Sequence, residues 1–225
     1  MQEAFIDELG FWKDYCAQAS NRPWLEQLAN CSLPIEPKTQ RLLDQLNLPR
    51  GTTVRALDIG CGPLSVLSRY SPVYPIDLTG IDPLANEYAG LLAAQNLRQH
   101  YPVIARGAEE IGQLFPAGHF DFVFSRNALD HCQDPAKVIR NAIVVCRDGG
   151  IVHFSVFPCE GEHANYGGLH QWNFELIDGA VVIWNAANRI KLDSLVAPYL
   201  YEAIMVPIEA GGYSAQIEVT IKKNV

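Results

Sequence analysis

The stretch Val54-Arg55-Ala56-Leu57-Asp58-Ile59-Gly60-Cys61-Gly62-Pro63 decides how the chain is read. An apolar run that breaks into two glycines ahead of a helix-like segment predicts a buried strand, a sharp turn and a helix start. Glycines one residue apart let the backbone turn with no side chain between it and a ligand, and a following helix offers unpaired N–H groups. Asp58 stands two residues before the first glycine, and Asp82 ends the next apolar run. An acidic side chain closing the second strand is the usual partner of ribose hydroxyls. The stretch therefore predicts a small-cofactor site at the carboxyl ends of two strands.

Outward from it, apolar runs alternate with helical segments. Strands are expected near 54–59, 77–82, 101–105, 120–125 and 150–157, the signature of a parallel sheet with helices on both faces. Leu84, Tyr88, Leu91 and Gln95 mark one helix face; Asp134 and Pro135 open another helix through Val138, Ile139, Ala142 and Cys146, closed by Asp148-Gly149-Gly150. Before the first strand, Phe5, Leu9, Trp12 and Cys16 recur at helical spacing, and further helices are expected near Asn21 and Pro37. After the fifth strand come a polar loop, Pro158 to His170, and two β-rich runs joined by Asp178-Gly179, a hairpin signal. It is expected as an insertion over the ligand edge. The last runs, Tyr199–Pro207 and Tyr213–Lys223 around Gly211 and Gly212, read as two more strands. The final one alternates apolar and polar residues, as an antiparallel strand with one buried face does.

The expected fold is thus α/β: a Rossmann-like, seven-stranded, mostly parallel sheet with an antiparallel terminal strand, a helical amino-terminal cap over 1–50 and an inserted hairpin within 158–185. At 225 residues this reads as one domain, 1–225. An apolar fraction of 48% with 19% charged residues excludes a disordered chain. A formal charge of −8 without any basic cluster argues against nucleic acid as partner. Six cysteines without C-x-x-C pairs, no signal-peptide pattern and no long apolar run predict a cytoplasmic protein away from membranes. Oligomeric state is not readable.

Four motifs in order, Leu57-Asp58-Ile59-Gly60-Cys61-Gly62-Pro63, Thr79-Gly80-Ile81-Asp82, Arg106-Gly107-Ala108-Glu109-Glu110 and Phe120 to His131, make residues 35–157 resemble the class I S-adenosylmethionine-dependent methyltransferases, most closely the small-molecule branch with the type 11 domain. The resemblance implies S-adenosylmethionine as cofactor and S-adenosylhomocysteine as product. It also implies cofactor contacts from Asp58, Gly60, Cys61 and Gly62 (methionine end), Asp82 and Pro83 (ribose), Gly107, Ala108 and Glu109 (adenine), Ser125 and Asn127 (the loop below), and Tyr15 from the amino-terminal helices. Ala108 stands where the family often has Asp, and Leu64 where many members have glycine. A dinucleotide-binding dehydrogenase would want glycine at position 65, which is serine here.

Methyl transfer asks the protein to align an acceptor with the S–CH₃ bond and exclude water. A hydroxyl acceptor must also lose a proton, which makes histidine the candidate base. His131, at the rim after the fourth strand, leads, followed by His170 and His163, while His153 inside a strand reads as packed. Acceptor contacts are expected from Trp12, Tyr166, His170 and Trp172, with Phe11, Tyr15 and Trp184 nearby. Asp130, His131 and Asp134 read as caps and rim groups, so no metal is expected. The expectation is an O-methyltransferase of a small molecule; alternatives are an RNA or protein methyltransferase, or an inactive cofactor-binding regulator.

Overall fold

The computed structural model describes residues 2–210 and 213–223; the expected turn at Gly211-Gly212 lies outside them. Helices α1 (Gln2–Ala17), α2 (Arg22–Ala29) and α3 (Pro37–Asp44) precede the first strand. Then come β1 (Val54–Ile59), β2 (Ile76–Ile81), α4 (Ala85–Ala94), β3 (Val103–Ile104), α5 (Ile111–Leu114), β4 (Phe120–Arg126), α6 (Pro135–Val145) and β5 (Cys146–Val156). After α7 (Glu160–His163) lie β6 (Asn173–Ile177), β7 (Ala180–Trp184), β8 (Arg189–Lys191) and α8 (Leu192–Val196), and the chain closes with β9 (Tyr201–Ala210) and β10 (Tyr213–Lys222).

The sheet runs β3-β2-β1-β4-β5-β10-β9. Strands β1 to β5 are parallel, and β10 is antiparallel to both neighbours. The expected sheet and its reversed last strand are both present. Because β1 is flanked by β2 on one side and β4 on the other, strand order reverses there, and the crevice at their carboxyl ends is where such sheets bind ligands. β1 and β4 are buried almost throughout, as central parallel strands covered on both faces must be.

On one face, Leu42, Leu43 and Leu46 pack with Ala56, Leu78, Phe122 and Phe124. α3 is therefore a sheet helix, and only α1 and α2 stand over the ligand edge, sharing Cys16, Leu25 and Leu28 with Leu64 and Leu92. On the other face, α6 lays Val138, Ile139 and Ala142 on Leu57, Val123 and Val152, each large apolar side chain contributing roughly 1.5–3 kcal/mol of burial. Asp134 caps α6 as expected, accepting from the Lys137 N–H at 2.9 Å with Pro135 in the first turn. The helix stops at Val145; Cys146 already pairs with Phe120, and the register then jumps to Phe122–Ile151. The Asp-Gly-Gly run is a bulge at the start of β5, and no periodicity signal marks such a jump.

The insertion differs from its expected form. It is a three-stranded sheet, β6-β7-β8, in which Ile190 pairs with Ile183; Arg189-Ile190-Lys191 is too short to show as alternation. Nor does it hang over the ligand edge. Phe174, Val181 and Ile183 are buried with Phe154, Val156, Ile217 and the α8 residues Leu192, Leu195 and Val196. An apolar stripe of that size must be covered, and the sheet face covers it.

Candidate active site

A cavity of about 580 Å³ opens where β1, β2 and β4 end, between Asp58–Gly62, Asp82–Leu84, Gly107–Glu109 and Arg126–Ala128. The first glycine turn makes its floor. Gly60 (φ +67°) and Gly62 (φ +60°) are both left-handed. A Cβ on Gly60 would sit 2.3 Å from the Ala128 Cβ, and one on Gly62 would sit 3.2 Å from the Trp12 ring. Only glycine gives this backbone room in such a turn.

Two strand-end carboxylates flank the turn. Asp58 is 3% exposed and accepts from the Ser65 hydroxyl at 2.5 Å. Burial pushes its carboxyl up to about 7, against the lowering effect of the Ser65 bond. Asp82 accepts from the Gly62 N–H at 3.0 Å and the Leu84 N–H at 2.9 Å, tying the second strand end to the glycine turn. Burial raises its carboxyl to about 6. Each carboxylate retains lone pairs beyond those protein donors.

Asn127 completes the floor. It is held left-handed (φ +48°), its N–H bonded to the Ser155 carbonyl, and its side-chain Oδ1 is buried with no partner. A buried acceptor left unbonded costs about 1–3 kcal/mol, so this oxygen points to a missing donor in the cavity. Gly107 and Ala108 line the far end. Glu109 also lines it, while its Oε1 accepts from the Gln133 and Asp134 N–H groups at 2.8 and 3.2 Å, fixing the start of α6. Ser125 is the exception among the expected cofactor contacts. Its hydroxyl turns inward to the Ile59 carbonyl at 3.0 Å, outside the cavity, because the pleat of β4 aims it away from the loop that follows.

The opposite wall is aromatic. Phe5, Phe11, Trp12, Tyr15 and Trp24 from α1 and α2 line it. Trp12 is fixed by donating its Nε1–H to Glu8 at 2.8 Å and packs edge-on to Tyr88, with ring centroids 6.1 Å apart. Phe5, Glu8, Trp24, Arg126, Cys132 and Leu169 also line the cavity without having been expected there, as does a residue read only as part of a helix face; helical spacing from Trp12 reaches Phe5 and Glu8 and is the one signal that marks these two.

Three expected acceptor contacts lie elsewhere. Trp172 is packed in the core, and Tyr166 is a surface residue whose hydroxyl accepts from Asn173. Trp184, on β7, does not line the cavity either. Trp172 follows the insertion to the sheet face. His163 turns back to the Cys159 carbonyl at 2.9 Å. His153 is packed as expected, against Thr220 and Phe124, and burial lowers its imidazole to about 3.

His131 and His170 do meet. Leu129–His131 form a 3-10 turn after β4 that brings His131 to the cavity wall; the loop before β6 brings His170, an expected acceptor contact, against His131 but not into the cavity lining. His131 Nε2 and His170 Nδ1 are 3.0 Å apart; His170 Nδ1 is 2.8 Å from Asp130 Oδ2. The hydrogen bond to the buried Asp130 carboxylate raises His170 above the ordinary imidazole range despite partial burial.

A methyltransferase domain model matches residues 25–190 of the chain, nearly three quarters of it. The chain belongs to the methyltransferase domain family. Among curated relatives of this methyltransferase domain, the ubiquinone biosynthesis O-methyltransferase of Paraburkholderia phymatum is 36% identical over 108 residues, covering 46% of this chain and 44% of the relative. The 27-O-demethylrifamycin SV methyltransferase of Amycolatopsis mediterranei is 30% identical over 157 residues, 64% of this chain and 56% of the relative. The chain spans less than half the length of the first of these. Among solved structures, the Burkholderia thailandensis 1,6-didemethyltoxoflavin-N1-methyltransferase, with bound 1,6-didemethyltoxoflavin and S-adenosylhomocysteine, superposes over all of this chain and 90% of its own (TM-score 0.54, 18% identity). The YcgJ protein of Bacillus subtilis superposes over 81% and 97% (TM-score 0.55, 14% identity). At these identities the two structures show the fold.

S-adenosylmethionine is the cofactor of this family, and the cavity suits it. The unpartnered Asn127 oxygen and the Asp58 carboxylate are acceptors for an ammonium, Asp82 is an acceptor for ribose hydroxyls, and the Gly60 and Gly62 backbone is bare of side chains. No helix among the described residues is long and apolar enough to cross a membrane.

Proposed function

We propose that this methyltransferase domain moves a methyl group from S-adenosylmethionine to a hydroxyl of a small, flat, largely apolar acceptor. The observation that carries this reading is the continuity of one cavity. Its floor carries the Asp58, Asp82 and Asn127 acceptors, its wall is built of aromatic rings, and His131 stands at the same wall. The printed names of the two curated relatives support transfer to oxygen.

When bound, the cofactor supplies an electrophilic methyl: the S–CH₃ bond breaks as the O–CH₃ bond forms, and sulfur keeps the electron pair. The remaining work falls to the chain. Asp58 and the Asn127 side chain hold the ammonium, Asp82 the ribose, and the backbone of Gly107 and Ala108 borders the adenine, with Cys61, Pro83 and Tyr15 closing the sides. The rings of Phe5, Phe11 and Trp12 clamp the acceptor and exclude water, worth several kcal/mol of the barrier in orientation alone. The acceptor hydroxyl faces the cluster of His131, His170 and Asp130, which activates it by taking up its proton or stabilising the oxygen after the proton leaves.

The test is calorimetric titration with S-adenosylhomocysteine. One site per chain is expected, and Asp82→Ala should weaken it at least tenfold by removing both the ribose acceptor and the tie to the Gly62 N–H. Absence of binding, or affinity unchanged in that variant, would sink the reading.

The same titration has an expected pH dependence. Asp58 must be ionised to hold an ammonium, and its carboxyl titrates at about 7 in the empty cavity. Affinity should therefore rise with pH up to about 7.5 and fall roughly tenfold per unit below 7. Stability of the cofactor-free protein runs the other way. A carboxyl with a raised folded-state value favours the folded state below its unfolded value near 4, and that contribution is lost as pH rises to about 7. Asp58→Asn should flatten both profiles.

A further inference from the structure

The sequence weighed Asp130, His131 and Asp134 as a metal set and set it aside; Asp134 is indeed the cap of α6. The fold brings a different third residue to the first two. Asp130, His131 and His170 place one ligand atom each within 4.8 Å of one another, and the individual separations are tighter than that. His170 Nδ1 is 2.8 Å from Asp130 Oδ2, His131 Nε2 is 3.0 Å from His170 Nδ1, and His131 Nε2 is 3.4 Å from Asp130 Oδ2.

Hydrogens serve that triangle poorly: one His170 Nδ1–H must be shared between Asp130 Oδ2 and His131 Nε2 as a bent three-centre bond. Each imidazole nitrogen carries at most one proton and the carboxylate oxygen only accepts. If His170 donates to Asp130, its contact with His131 is left either without an aligned donor or as two N–H groups facing each other. One cation at the centre satisfies all three sides. Donors about 2.0–2.2 Å from a zinc-class ion lie roughly 2.8–3.6 Å apart at angles between a right angle and the tetrahedral one, which spans the distances found here.

A second observation points to the same place. Glu160, at the start of α7, has Oε1 3.7 Å from His170 Nδ1, and its Oε2 is buried without a partner. Two imidazoles and two carboxylates, one of the latter with an idle buried oxygen, are a borderline N/O donor set that favours divalent first-row transition ions over Mg²⁺ or Ca²⁺.

We propose that Asp130, His131 and His170 bind one zinc-class divalent ion where His131 lines the cavity, with Glu160, beside His170 and outside the triangle, swinging in as fourth ligand. Its place in catalysis rests on the methyl-transfer reading above: coordinated by the acceptor oxygen, the ion lowers the hydroxyl's affinity for its proton and holds the oxygen toward the methyl group, the proton leaving to solvent. The binding itself is independent of that reading.

The experiment uses the full chain stripped with a chelator, then titrated with Zn²⁺, and with Co²⁺ as a spectroscopic probe. One ion per chain is expected, with Co²⁺ giving the visible absorption bands of a site with nitrogen ligands. His170→Ala should lower affinity at least a hundredfold. Glu160→Gln, which keeps the shape of the side chain, should lower it about tenfold, and thermal melts establish that both variants are folded. Uptake below one ion per chain, or affinity unchanged in His170→Ala and Glu160→Gln, overturns the proposal. S-adenosylhomocysteine titrated into the stripped protein separates the two readings. S-adenosylhomocysteine binding without metal uptake removes the ion and leaves the methyltransferase; metal uptake without it does the reverse.

Discussion

Gly60→Val is expected to abolish cofactor binding and to lower stability by about 2–4 kcal/mol, the sum of a left-handed β-branched residue and an overpacked contact. The overlap is severe: the first added carbon falls 2.3 Å from the Ala128 Cβ at φ +67°. Ala128 cannot retreat freely, since its carbonyl accepts from the His131 N–H at 3.2 Å and its neighbour Asn127 is pinned to Ser155. Relief must displace the loop that carries Asn127 and His131, so the floor of the cavity and its acceptor wall are damaged together. Product affinity should fall more than a hundredfold by calorimetry, and the melting temperature by several degrees. Gly10→Ala is the control. Gly10 lies on α1 with nothing within 4 Å of its added carbon, and alanine there should stabilise by about 0.5–1 kcal/mol. Binding that survives in Gly60→Val would show that the turn does not shape the site.

Phe174→Ala is the second large effect. Phe174 is fully buried, its ring 6.2 Å from Phe154 in an edge-on contact that joins β6 to β5. Removing a buried phenylalanine costs about 3–5 kcal/mol, which in a chain of this size lowers the melting temperature by roughly 6–20 °C. Chemical denaturation should show one cooperative transition moved to lower denaturant. A loss under 1 kcal/mol would mean that the inserted strands hang outside the core. An independent lid would leave the stability of the sheet untouched, so the variant tests directly where the insertion belongs.

That insertion is also where sequence and structure part company. Its Asp178-Gly179 hairpin was legible because the turn demands φ above zero at both residues, and both have it. Its destination was not, because alternation reveals that one face is buried but not what buries it. Trp172, Tyr166 and Trp184 were misplaced for that reason. The sheet was legible because β1, β4 and the alternating β10 carry strong patterns, and the glycine turn with Asp58 and Asp82 marked the cavity floor. Ser125 was lost to a one-residue question of which way a strand end points. The Asp130–His170 pairing joins residues from separate loops, and Glu160 beside them had no motif at all. Spacing rules see neighbours along an element and not loops that converge.

The three apolar clusters have a consequence for motion. The two large ones are fastened to the sheet, whereas Cys16, Leu25, Leu28 and Ala29 form a third with Leu64 and Leu92. Trp12 and its aromatic neighbours ride on helices that this small cluster joins to the body through Leu64 and Leu92. A piece so joined opens at a lower free energy than the whole molecule unfolds. The amide protons of α1 and α2, the roof of the cavity, are then expected to exchange with solvent sooner than those of β1 and β4. Opening of that roof is the expected route of small molecules into the cavity.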